Sequence, residues 1–126
     1  MLGVTASDRS MRRASRLMAA LGFLLGGLLL TRPQEVADRV APAFPASRLW
    51  LARALGVRLL VQHGAVLAKP DRAIVRASSA VDLLHAATMV PFLASPQYGR
   101  AARISGGLAA AYGAVALAVT PPSTDG

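Results

Sequence analysis

Arg58 and Asp82 are ionisable residues set inside two hydrophobic stretches, 49–68 and 77–95, and each stands twelve positions from Pro70. If both stretches are helices folded back across the polar turn Lys69-Pro70-Asp71-Arg72, equal sequence distance means equal height. The guanidinium and the carboxylate then face each other near mid-depth. Within a bilayer an ionisable group costs about 2.5–3.5 kcal/mol on insertion scales, so it has a partner or a task. Asp82 also belongs to a stripe, Ser78, Asp82, His85 and Met89, spaced i, i+4, i+7, i+11 on one helix face. Gln62 follows Arg58 by four residues and shares its face. The candidate buried polar core is therefore Arg58, Gln62, Ser78, Asp82 and His85. Two uses of it stay open. One is a structural ion pair that fixes the register of two helices. The other is a polar site for a proton, an ion or an anionic headgroup, with His85 titrating beside Asp82 as a proton relay.

Other chemistries fit less well. On the folded hairpin, His63 and His85 differ in height by about 12 Å at 1.5 Å per residue, too far to share a zinc ion or bracket a haem iron. His85 with Asp82 offers two ligands and no evident third, so neither a metal nor another cofactor is expected. Ser78, Ser79 and His85 share a helix with Asp82, whereas a nucleophile and its base must converge from separate packed elements. No G-x-S-x-G, P-loop, H-E-x-x-H or dinucleotide-binding glycine pattern occurs. The chain has no cysteine, which removes thiol catalysis, disulfides and Cys-ligated metals. No catalytic residue is assigned, and enzymatic activity is not expected.

The elements that must carry this core are membrane-like. The 126 residues have room for one domain, with 54% apolar and only 16% charged residues against about 25% charged in a soluble domain. Residues 17–31 and 104–123 contain no charge at all, which leaves a surface helix no wet face. The net charge of +8 invites a nucleic-acid reading, but the basic residues flank or interrupt apolar segments and only six aromatics accompany them. Snorkelling to headgroups and orienting insertion account for them better, so no nucleic-acid partner is expected. The stretch 12–30 resembles a signal peptide in its basic start and apolar middle, yet Thr31-Arg32-Pro33-Gln34-Glu35 closes it without a small-x-small site. A retained first helix is the expectation.

The pattern predicts an all-α polytopic membrane protein with four transmembrane helices in an up-down bundle. A basic cytoplasmic tail at 1–12 precedes helices at about 13–31, 47–68, 73–95 and 97–120, with a short interfacial helix at 33–41 and a disordered tail at 121–126. Ser47 is the expected N-cap of the second span, and Pro91 is expected to kink the third, freeing the carbonyl of Ala87 with Thr88 taking up part of the bonding. Gly22 and Gly26 form a G-x-x-x-G pair for close helix approach, within the chain or between copies. Ala102, Gly106, Ala110, Ala114 and Ala118 recur every four residues as a small-residue ridge. With four spans, seven Lys or Arg fall on the side of the N-terminus and the turn, against five on the other side. That asymmetry places both termini in the cytoplasm. Phe44, Trp50, Phe92 and Tyr98 then form half of an interfacial belt on the opposite surface.

Ala52-Arg53-Ala54-Leu55-Gly56-Val57-Arg58, followed one helix later by Val81-Asp82-Leu83-Leu84-His85, resembles small uncharacterised four-helix bacterial inner-membrane proteins. In these an A-R-x-x-G-x-R segment is paired with an acidic residue on the next helix, and DoxX-like proteins share the same general build. The resemblance covers about 48–118 and implies a compact membrane domain in the bacterial inner membrane, without bringing an activity, cofactor or substrate. The expected role is accessory or structural, in contact with the lipid bilayer, as a homo-oligomer or a subunit of a larger membrane complex. The rival expectation is a small transporter or redox-linked membrane factor built on Arg58, Asp82 and His85.

Overall fold

The computed structural model describes residues 6–69 and 71–118, so Pro70 and the tail 121–126 lie outside the described residues. Helix α1 spans Ala6–Thr31 and is followed by the short α2, Pro33–Val40. A 3₁₀ turn, Ala46–Arg48, leads into α3, Leu49–Ala68. Helix α4 spans Arg72–Met89 and passes through a second 3₁₀ turn, Val90–Phe92, before α5, Gly99–Ala118. No strand occurs among the described residues. The long helices, with their flanking turns, give four stretches long and apolar enough to cross a membrane: Arg9–Thr31, Ala46–Ala68, Arg72–Phe92 and Gly99–Ala118.

Several ends differ from the sequence expectation for local reasons. Helix α1 begins well before residue 13, because Arg, Met, Ala and Leu are all good helix formers and nothing in Arg9–Arg16 breaks the run. Ser47 does not cap α3; the Arg48 N–H instead donates to the Pro45 carbonyl at 3.0 Å and winds the entry into the 3₁₀ turn. Pro91 does not kink a continuing helix. It sits inside the second 3₁₀ turn, where the Val90 N–H donates to the Ala87 carbonyl and the Thr88 hydroxyl donates to the His85 carbonyl at 2.7 Å. The Ala87 carbonyl that proline would orphan is thus satisfied by tightening the last turn, while Thr88 bonds the His85 carbonyl and not that of Ala87.

Asp71 starts α4 as its N-cap, with Oδ1 accepting from the Ile74 N–H at 2.9 Å. That bond, with the Lys69 ammonium 3.4 Å from Oδ2, holds the Asp71 carboxyl below the usual carboxylate range. A depressed folded-state pKa adds stability above the unfolded value and loses it as pH falls through the folded one. Asp71→Ala is therefore expected to lower the unfolding midpoint at neutral pH more than Asp71→Asn, which keeps an acceptor oxygen. The acid-side loss of stability should shrink in both variants. Thermal unfolding in detergent at several pH values checks this, and equal midpoints for the two variants would refute the cap.

The long helices pack in two tight pairs. Along α1 and α3, Gly22 lies against the His63 ring, and Gly26 lies against Gly56 and Leu59, so numbers rise on one helix as they fall on the other. Along α4 and α5, the Ser79 hydroxyl donates to the Gly113 carbonyl at 2.7 Å and Gly106 lies under Met89. A core of Ala19, Val66, Val75 and Ala116, one from each long helix, joins the pairs, with Leu67 and Ile74 packed against it. Small residues and polar groups fill the interior, while Leu24, Val61 and Leu84 point outward.

The small-residue ridge of α5 takes a different course from a four-residue repeat. Gly99, Ala102, Gly106, Ala109, Gly113 and Ala116 are buried, whereas Ala110, Ala114 and Ala118 are exposed. A strict step of four advances 400° per repeat and drifts off the contact face by 40° each time, while alternating steps of three and four stay on it. Ala110 accordingly does not pack within the chain. Among the expected belt residues, the Phe44 and Phe92 rings stand edge-on to Tyr98 at 5.5 and 6.0 Å and tie the α2–α3 connector to the entry of α5. Trp50 is exposed.

Candidate functional site: a polar seam between helices α3 and α4

Helices α3 and α4 meet through polar side chains. Arg58 and Gln62 lie one turn apart on α3, and Ser78 and Asp82 lie one turn apart on α4, so two rungs form at matched heights. On the first rung, Arg58 Nη1 donates to Asp82 Oδ1 at 3.3 Å. On the second, Gln62 Nε2 donates to Ser78 Oγ at 2.8 Å and to the Ser78 carbonyl at 3.1 Å. Arg58 Nη1 also donates to Gln62 Oε1 at 2.8 Å, which links the rungs into one network. Asp82 is 2% exposed, and the Arg58 side chain is 23% exposed. The pair is neutral as a whole, and removal of either partner would leave a charge in an apolar interior.

The interior around Asp82 is polar on its other side as well. A cavity of about 20 Å³ is bordered by Ser15, His63, Ser78, Asp82 and Tyr112 together with aliphatic side chains. His63 is buried, its ring edge-on to Tyr112 with centroids 5.4 Å apart. Gly22 makes room for that ring, since a Cβ there would collide with it. Ser15 Oγ and Arg58 Nε are buried and have no hydrogen-bond partner among the described residues.

The structure thus divides the residues singled out from sequence. Arg58, Gln62, Ser78 and Asp82 form one connected group. His85 does not join it by a hydrogen bond; its Nε2 lies 3.3 Å from Ser105 Oγ on α5. The stripe stays on one face of α4, and its far end, His85 and Met89, meets α5, where Met89 covers Gly106. The hydroxyl and imidazole of Ser105 and His85 have no carboxylate bonded to the ring's second nitrogen among the described residues, so they do not make a triad. Ser15, His63 and Tyr112 come from three helices and reach one cavity. The signal for them in sequence is weak: Ser15 lies among arginines, His63 follows Gln62, and Tyr112 is a single polar residue in an apolar run. Among the described residues, no three His, Cys, Asp or Glu side chains converge. Gly22, Gly26 and Gly106 lie on helix contacts within the chain. The arrangement can hold a buried charge pair and exchange hydrogen bonds with a small polar guest. Comparison with family models, curated proteins and solved structures finds no match for this chain.

Proposed function

We propose that this chain is an integral protein of the bacterial cytoplasmic membrane, an up-down bundle of four spans with both termini in the cytoplasm. Its role is structural or accessory, alone as a small oligomer or as a subunit of a larger membrane assembly, in keeping with its resemblance to proteins of the DoxX-like build. The observation that carries the reading is the inverted distribution of polarity. Leu17, Leu21, Leu24, Val61 and Leu84 face outward, while Gln62, His63, Ser78, Ser79 and Asp82 are buried. Water would select the reverse, and an apolar solvent selects this one. In such a solvent helix association draws on close small-residue packing and interhelical hydrogen bonds. The chain supplies the first within each tight pair, with Ser79–Gly113 adding a hydrogen bond between α4 and α5, and the second between the pairs, where Arg58–Asp82 with Gln62–Ser78 is the clasp that holds α3 to α4.

Topology tests the membrane placement directly, because the chain has no cysteine to remove first. Ser10, Ala43, Arg72 and Pro96 are all exposed, at helix ends or in connectors. Single cysteines at Ala43 and Pro96 are expected to react with a membrane-impermeant maleimide from the outer face of spheroplasts. Cysteines at Ser10 and Arg72 should react only after permeabilisation. Labelling of Ser10 and Ala43 alike from one side would overturn the arrangement. Native mass spectrometry after gentle extraction reads the assembly state: a second copy or a co-purifying subunit supports the accessory role.

A further inference from the structure

Ser15 on α1 is a buried polar residue that neither the glycine seams nor the clasp explains. It is 4% exposed, and its hydroxyl oxygen bonds to nothing among the described residues. Buried hydroxyls nearly always have a partner, and a serine within a helix commonly finds one by turning back to its own backbone. Ser15 instead borders the cavity of about 20 Å³ that Ser78 and Asp82 reach from α4, His63 from α3 and Tyr112 from α5. Both α4 residues have hydrogen-bonding positions left. Ser78 Oγ accepts from Gln62, which leaves its own proton to donate. Asp82 accepts from Arg58 through Oδ1, and a carboxylate offers about four acceptor positions in all.

Size and charge together select the occupant. A buried water requires roughly 10–15 Å³ and two to four polar partners, so a cavity of about 20 Å³ accommodates one. Asp82 is the sole carboxylate within the four apolar stretches, and Arg58 already balances it. Any ion, an excess proton included, would therefore stand as an uncompensated charge in an apolar interior. A water is neutral and matches the groups present. It accepts from the Ser15 and Ser78 hydroxyls and donates to the Asp82 carboxylate, and three bonds are the usual complement of a buried water. No group on the cavity wall has to change its charge.

We propose that this cavity is a binding site for a single neutral water, which bridges Ser15 of α1 to Ser78 and Asp82 of α4. The α1–α3 seam is built on close glycine contacts, and the clasp runs from α3 to α4. The water adds a polar tie from α1 directly to the second helix pair. This site goes beyond the clasp: it shares Ser78 and Asp82, but the clasp needs neither Ser15 nor the water.

Methyl groups report a nearby water without an exchangeable proton of their own. Those of Ala19 and Val75 border the cavity and belong to residues 1% and 2% exposed, whereas Leu59 is buried and does not border it. The protein, methyl-labelled and placed in phosphatidylcholine nanodiscs, is examined by water-edited NMR. The expected result is magnetisation transfer from water to Ala19 and Val75 at mixing times at which Leu59 receives none. Ser15→Val, which fills the cavity and removes its hydroxyl, should lose that transfer with the fold retained. Absence of transfer to Ala19 and Val75 with Ser15 intact overturns the proposal, and so does undiminished transfer in folded Ser15→Val. Should that variant not fold, the spectrum with Ser15 intact decides alone. Dry cavity methyls, together with recovery of stability on charge reversal of Arg58 and Asp82, would sink the water and leave the clasp standing.

Discussion

Asp82→Ala is expected to destabilise the folded protein by about 3–5 kcal/mol, the range seen when one partner of a buried ion pair is removed. Asp82 is 2% exposed, and the guanidinium it leaves behind is mostly enclosed, so Arg58 would lose its only carboxylate among the described residues while staying in an apolar interior. Arg58→Met should be costly for the mirror-image reason, leaving Asp82 as an uncompensated buried anion. The double variant Arg58→Met with Asp82→Ala removes both charges and should be less destabilised than the sum of the two singles. The difference measures the penalty of an orphaned charge, and coupling of about 0.5–3 kcal/mol is the expectation for residues in one network. Charge reversal, Arg58→Asp with Asp82→Arg, should recover part of the loss, because the Gln62–Ser78 rung that sets the register is untouched. Reversible unfolding in mixed micelles reads all four proteins. Additive single effects, or an Asp82→Ala cost below about 1 kcal/mol, would show that the pair does not hold the seam.

The second large effect falls on neighbouring glycines that resemble each other in sequence and differ in surroundings. A Cβ on Gly26 would stand 2.8 Å from the Gly56 carbonyl oxygen and 2.9 Å from Leu59 Cβ, and a Cβ on Gly56 would stand 2.7 Å from the Gly26 carbonyl oxygen. The obstruction is largely backbone, so the two helices must separate to admit a side chain. Gly26→Val and Gly56→Val are each expected to destabilise by about 1–3 kcal/mol or more through overpacking. Gly27 has open space where its Cβ would go, so Gly27→Ala should be neutral or stabilising by up to about 1 kcal/mol from helix propensity alone. The same contrast recurs on α5. A Cβ on Gly106 would meet Met89 Cβ at 3.0 Å, and one on Gly107 would meet nothing within 4 Å. Unfolding midpoints of Gly26→Val and Gly56→Val should therefore fall below those of Gly27→Ala and Gly107→Ala. A Gly27→Ala variant as damaged as Gly26→Val would contradict the α1–α3 seam.

These seams also explain why the G-x-x-x-G pair is not a free dimerisation surface. Gly22 and Gly26 are occupied within the chain by His63, Gly56 and Leu59. From sequence, packing within the chain and packing between copies read identically, because the spacing describes one helix and says nothing of its neighbour. The ridge on α5 is a subtler case. Small residues are so frequent there that a four-residue repeat and an alternating three-four repeat can both be traced, and only the buried set, through Ala109 rather than Ala110, shows which face meets α4.

Sequence by itself determined the features that depend on local spacing and hydropathy. These are the four long apolar stretches, the polar turn before α4, and the matched height of Arg58 and Asp82 on either side of it. Equal distance from a turn is equal height on paired helices, so that juxtaposition needed no tertiary information beyond the fold-back itself. Tertiary structure alone decided how each helix is rotated about its axis and which neighbour it meets. That rotation turned Ser78 and Asp82 toward α3 and His85 toward Ser105 on α5, and it brought Ser15, His63 and Tyr112 from three helices to one small cavity. The physical reason is that helical periodicity specifies which residues share a face, whereas the direction of that face follows from close packing of glycines and polar groups far apart in the chain. Arg58 and Asp82 were therefore legible as a pair, and the polar interior beyond Asp82 was not.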